Sequence, residues 1–148
     1  MRIAWIFWSI LVACGSAPED SLSDSQDVTD WEWVDELDTR EGRYHLNLEP
    51  DPFPPKKGVF TLGLQIGRNS NNPDLDGALV VNAGVRIEGS RRYGTADSAG
   101  VAVDAEELGA GRYSATWTFA QAGEWLLDIE VGAAEDKDIA VIWMNVEE

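Results

Sequence analysis

Gly111 to Val131 reads GRYSATWTFAQAGEWLLDIEV, and two alternations within it decide the fold class. Tyr113, Ala115, Trp117 and Phe119 fall on one side of an extended chain and Ser114, Thr116 and Thr118 on the other, the period-2 pattern of a half-buried strand. After the short connection Ala120 to Glu124, the pattern repeats with Trp125, Leu127, Ile129 and Val131 opposite Asp128 and Glu130. Gly123 gives that connection a permissive backbone, so the two runs predict a β-hairpin whose inner face is aromatic and branched.

Working outward, further strands divided by turn signals are predicted on both sides. Arg43 to Glu49 alternates Tyr44, Leu46 and Leu48 against Arg43, His45 and Asn47, and the prolines from Pro50 to Pro55 end it, because proline cannot donate to a central ladder. Val59 to Ile66 places Phe60, Leu62, Leu64 and Ile66 on one face, and the polar run Gly67 to Gly77 follows as a loop. Ala78 to Ile87 reads as a third strand with Val81, Ala83, Val85 and Ile87 inward and Gly84 as a candidate bulge. Glu88 to Gly100 is a long polar connection, Val101 to Val103 a short edge strand and Glu106 to Gly109 a turn. Asp138 to Val146 is apolar on both faces, which suits a central or covered strand. With no sustained helical period, about seven strands predict an all-β, immunoglobulin-like antiparallel β-sandwich. Tyr113, Trp117, Phe119 and Trp125 are its expected core, packed on Phe60, Leu62, Leu64 and Val81 to Ile87.

The N-terminus predicts location. Met1-Arg2 precedes an apolar run from Ile3 to Ala13, too short to span a bilayer but of signal-peptide length. Leu11-Val12-Ala13-Cys14 resembles a bacterial lipobox, which implies cleavage before Cys14 and diacylation of that cysteine. Cys14 is the chain's one cysteine, so no internal disulfide is available to it. The expected organisation is a lipoprotein signal peptide over 1–13, a lipidated Cys14 with a flexible acidic linker over 14–30, and a β-sandwich domain over 31–148. The Ser- and Asp-rich linker buries too little apolar surface to offset its ordering entropy. Trp31 and Trp33 follow it, and an extended segment capping the sheet is expected there, with an exposed aromatic pair as the alternative. The protein is thus expected in the cell envelope, held to the membrane by lipid and facing the periplasm or the exterior. Acidic residues number 27 against 11 basic ones, a formal charge of −16, and such a field repels nucleic-acid phosphates.

A family resemblance emerges from the strand motifs. Ala78-Leu79-Val80-Val81 after a glycine-bearing turn, then Gly111-Arg112-Tyr113, then Phe119 with Gly123-Glu124-Trp125 before an alternating strand is similar to the YtkA-like and FixH-like domains, over about residues 44–131. The resemblance implies an extracytoplasmic immunoglobulin-like sandwich. It also implies copper handling or oxidase assembly through a Met- and His-rich stretch after the third strand. Here that stretch reads Gly89-Ser90-Arg91-Arg92-Tyr93-Gly94-Thr95, with neither residue type.

The residues left for chemistry are few. Copper takes thioether, thiolate or imidazole ligands, and beyond Cys14 the expected mature chain offers His45 and Met144. Asp74 and Asp76, in Asp-x-Asp-Gly spacing, are candidate calcium ligands, and Asp97 and Asp104 lie in similar settings, although no Glu completes an EF-hand loop. His45 would have to serve any nucleophile, and no Gly-x-Ser-x-Gly elbow or phosphate loop is present, so the chain reads as no enzyme and no cofactor is assigned. Arg91, Arg92 and Tyr93 are the candidate contact for a carboxylate or phosphate of a partner in the envelope, the alternative being pairing with the chain's own carboxylates. The function expected is a non-catalytic binding module, with metal (copper or calcium) binding or transport as the alternative.

Overall fold

A computed structural model describes residues 35–71, 73–74, 76–93, 100–132 and 134–148. The expected leader 1–13, the lipidated Cys14, the linker 14–30, and Trp31 and Trp33 lie outside these residues. Among the described residues nine strands form in chain order: β1 (Glu36–Asp38), β2 (Tyr44–Asp51), β3 (Gly58–Arg68), β4 (Val85–Arg91), β5 (Val101–Asp104), β6 (Glu106–Gly109), β7 (Arg112–Phe119), β8 (Gly123–Val131) and β9 (Asp138–Val146). They make two antiparallel sheets, β1-β2-β3-β7-β6 and β5-β4-β8-β9. The order β2-β3-β7-β6 against β4-β8-β9 is that of strands A-B-E-D and C-F-G in an immunoglobulin sandwich. Beyond the seven expected strands stand β1, three residues in the segment predicted to cap the sheet, and β6, in the segment read as a turn. Among the described residues no helix is long and apolar enough to cross a membrane.

The strand faces follow the alternation. Leu46, Phe60, Leu62, Ile66, Tyr113 and Phe119 from one sheet meet Ile87, Trp125, Leu127, Ile129, Val131 and Val146 from the other, all fully buried. Phe60, Trp117 and Phe119 form a cluster with ring centroids 5.0 to 5.5 Å apart. Trp125 joins it from the opposite sheet at 4.9 Å from Phe119. Tilted contacts of this kind suit the charge distribution of aromatic rings. At the corner between β7 and β8 the Trp125 indole Nε1 donates to the Gln121 carbonyl at 3.1 Å. A side chain early in strand F thus bonds back to the E–F corner, the role a tyrosine has in many such sandwiches.

Four sequence expectations are corrected. Gly111 to Val131 is not a hairpin: β7 pairs with β3 and β6, and β8 with β4 and β9, so the connection carries the chain from one sheet to the other. Alternation is identical whether two strands lie side by side or face each other across a core, so the pattern could not separate the cases. Ala78 to Ile87 is strand only from Val85. Asn82 takes a φ of 56°, which breaks the extended run, and Leu79 and Val81 are 48 % and 52 % exposed, so of the apolar positions in this stretch Val85 and Ile87 are the buried ones. Tyr113 instead ties the irregular part down, donating its hydroxyl to the Val80 carbonyl and accepting from the Ala83 N–H. The connection predicted from Glu88 begins later, because β4 runs on to Arg91. Finally, among the described residues β9 pairs with β8 alone and stands at the edge of its sheet, with its ends tied by bonds from the Arg40 N–H to the Ile139 carbonyl and between Glu147 and the backbone of Pro55 and Lys57.

Candidate functional site

Strand alternation separates the two arginines. β4 turns Val85 and Ile87 inward and Arg86 and Glu88 outward, so Arg91 inclines towards the end of the core and Arg92, one residue beyond the strand, faces out. Arg91 lies opposite Trp125, and its guanidinium folds over the β7–β8 connection. Nη1 donates to Gln121 Oε1, Nη2 comes within 3.0 Å of where a side chain on Gly123 would start, and Nε is buried with no partner among the described residues. Arg91 therefore fastens a corner of the fold.

Arg92 is held differently. Its N–H donates to the Glu124 carbonyl at 3.0 Å, and its Nη1 donates to Glu124 Oε2 at 3.3 Å. The guanidinium carbon stands 5.2 Å from the Tyr93 ring centroid and 5.3 Å from that of Trp143, so the cation lies over two aromatic rings at once. Tyr93 is 69 % exposed. Trp143 reaches the site because β9 turns Ile142 and Met144 inward and Trp143 outward. Beside it, Phe53, Pro54, Pro55, Asn145 and Glu147 help to line a shallow cavity of 190 Å3. Phe53 is 61 % exposed. The surface thus joins a planar cation, three aromatic side chains and two prolines at one end of the four-stranded sheet.

Sequence reading found Arg91, Arg92 and Tyr93 but not Trp143, Phe53 or Glu124. Trp143 carried a usable signal, since a large aromatic at an outward position of an alternating strand asks what covers it. Phe53 among prolines carried none, because only the wrap of residues 52–57 from the first sheet to the end of β9 brings it near Trp143.

The other candidates are dispersed. His45 lies on the outward face of β2, with Nδ1 2.9 Å from Asp38 Oδ1 and Nε2 3.9 Å from Glu36 Oε2. Hydrogen bonds from Asn69 and then His45 hold the Asp38 carboxyl below its ordinary range. Met144 is buried on the inner face of the other sheet. The structure therefore places the imidazole and the thioether on different sheets, one outward and one inward. Asp76 Oδ1 accepts from the Ser70 N–H at 3.2 Å within its own loop, and Asp104 pairs with Arg86 at 3.1 Å. Asp97 lies outside the described residues. Among the described residues no group of three His, Cys, Asp or Glu side chains gathers as metal ligands would.

No protein family, no curated protein and no solved structure matches the chain.

Proposed function

We propose that the chain is a non-catalytic binding module of the bacterial cell envelope, lipid-anchored through Cys14 and of the YtkA-like kind, which meets a protein partner through Arg92, Tyr93, Trp143 and Phe53. The observation that carries this reading is the Arg92 guanidinium lying over both the Tyr93 and the Trp143 ring on an outward face. Arginine, tyrosine and tryptophan are the side chains that dominate binding energy at protein interfaces, because each buries a large rigid surface and keeps a polar handle. Here they are assembled before any partner arrives, with Glu124 fixing the arginine, which lowers the ordering cost of association.

Chemical crosslinking in intact envelopes followed by recovery of the chain tests the reading. Wild type retains a discrete crosslinked partner, and Arg92→Glu with Tyr93→Ala weakens its recovery about tenfold or more, as loss of interface anchors does. Arg91 is left intact because it supports the fold. Recovery that is unchanged in the double variant removes this surface from consideration. The anchor is tested separately, since Cys14→Ala moves the protein from the membrane fraction to the soluble one if lipid holds it there.

A further inference from the structure

The outward face of the five-stranded sheet has a trough unrelated to the Arg92 surface. Gly63 stands in the middle of β3, opposite Glu49 of β2 and Ser114 of β7, and forms part of the floor of a space of 320 Å3. Glu49, Pro50 and Asp51 make one wall, Leu108, Arg112 and Ser114 the other, and Thr61 and Gln65 lie between them. The Glu49 side chain leans over the floor: a Cβ on Gly63 would stand 3.2 Å from Glu49 Cβ and 3.5 Å from Oε2. The walls are oppositely charged. Among the described residues neither Glu49, Asp51 nor Arg112 makes an ion pair, even though the three share one face. Strands about 4.8 Å apart and residues about 3.4 Å apart put the Arg112 Cα roughly 12 Å from that of Glu49 and roughly 17 Å from that of Asp51. A small molecule fits between the charged ends.

We propose that this trough binds a basic α-amino acid, free or as the C-terminal residue of a short peptide. Two carboxylates and one guanidinium complement the two ammonium groups and one carboxylate of free lysine, or the side-chain ammonium, N-terminal ammonium and C-terminal carboxylate of a dipeptide that ends in it. Arg112 receives the α-carboxylate, for which its planar fork is suited to two parallel hydrogen bonds. Glu49 and Asp51 receive the ammonium groups. Leu108, 57 % exposed, gives the methylene chain an apolar wall, and the Ser114 and Thr61 hydroxyls offer further polar contacts.

The test titrates the full chain, 15N-labelled and held in a non-ionic detergent, with L-lysine and with alanyl-lysine, using L-glutamate and putrescine as controls. Lysine is expected to shift the backbone amides of Gly63, Leu64 and Ser114 saturably at millimolar concentrations, and each control, lacking one half of the charge pattern, to bind about tenfold more weakly. A stronger response to alanyl-lysine than to lysine identifies the peptide end as the ligand, and the reverse identifies the free amino acid. Arg112→Gln and Glu49→Gln are each expected to weaken binding about tenfold, as loss of a charge-assisted hydrogen bond does. Gly63→Ala weakens it without altering charge, by filling the floor. All three positions are outward-facing, and the unshifted remainder of each spectrum reports that the fold is intact. The proposal is overturned by silence at these amides, by shifts scattered over the acidic surface, or by an undiminished response in Arg112→Gln.

Discussion

Asp138 shows how a single buried carboxylate can organise a corner. It is 4 % exposed, and its oxygens accept the N–H groups of Glu41, Arg43 and Ile139 at 2.8 to 3.2 Å, tying the β1–β2 turn to the start of β9. Burial pushes its carboxyl up, and the Thr39 hydroxyl with the three backbone N–H groups more than offsets this, holding the acid below its ordinary range. The folded value therefore lies below the unfolded one, about 3.9, and the stabilisation is present above about pH 4 and lost as the pH falls through the folded value. Asp138→Asn is expected to cost about 1–3 kcal/mol at neutral pH, because the donors lose a charged acceptor. Urea unfolding at successive pH values checks the sign: the gap to wild type should narrow below about pH 4. A gap that stays constant down to pH 3 would mean that the charge on Asp138 contributes nothing. Nothing in the sequence marked Asp138 for this role, since an aspartate at a strand start looks the same whether it faces water or three backbone donors.

At the scale of the strand, the period-2 pattern located β2, β3, β7, β8 and β9 to within a few residues and chose the inner faces of the first four correctly, while β9, apolar on both faces, offered it no choice. It could not choose partners. Tyr113 to Phe119 and Trp125 to Val131 each needed only one covered face, and both a hairpin and a crossing between sheets provide that. The crossing depends on the connection, and Gly123 is its pivot, with a φ of 117° that non-glycine residues rarely adopt. Any side chain there also meets the Arg91 guanidinium, at 3.0 Å from a Cβ. Of the two effects the backbone should dominate, because the far end of an arginine moves easily and the corner does not. Gly123→Ala is therefore expected to destabilise by about 1–3 kcal/mol, with nearly the same cost when Arg91→Ala is already present. Denaturant midpoints of the four chains in that cycle decide it, and a cost that vanishes without Arg91 would locate the problem in the contact instead. The same limit hid the Arg92 surface: Arg92 falls in a segment the pattern reads as a polar connection and Trp143 on one of two apolar faces, and neither reading says that the sheet brings them together.

For the whole molecule the question is whether its charges hold it together or push it apart. Ion pairs such as Arg43–Glu41, Arg86–Asp104, Lys57–Glu148 and Lys137–Glu130 are solvent-exposed on both sides. Exposed pairs contribute only about 0–1 kcal/mol each and weaken with salt. Against them stands a formal charge of −16, whose self-repulsion opposes compaction. With 27 acidic residues and 11 basic ones, most carboxylates have no cation to pair with, so repulsion should outweigh attraction. Sodium chloride screens both, over a length that falls from about 30 Å at 0.01 M to about 3 Å at 1 M. Raising the salt from low concentration to roughly 0.5 M is therefore expected to increase Tm, by roughly 5 °C if about 1 kcal/mol of repulsion is relieved. A fall in Tm over that range would show that the ion pairs outweigh the net charge. The result bears on binding too, because a fold strained by its own negative field is relieved by cationic ligands, and the trough over Gly63, with Glu49 and Asp51 on one wall, is a place on this surface where such relief would be local.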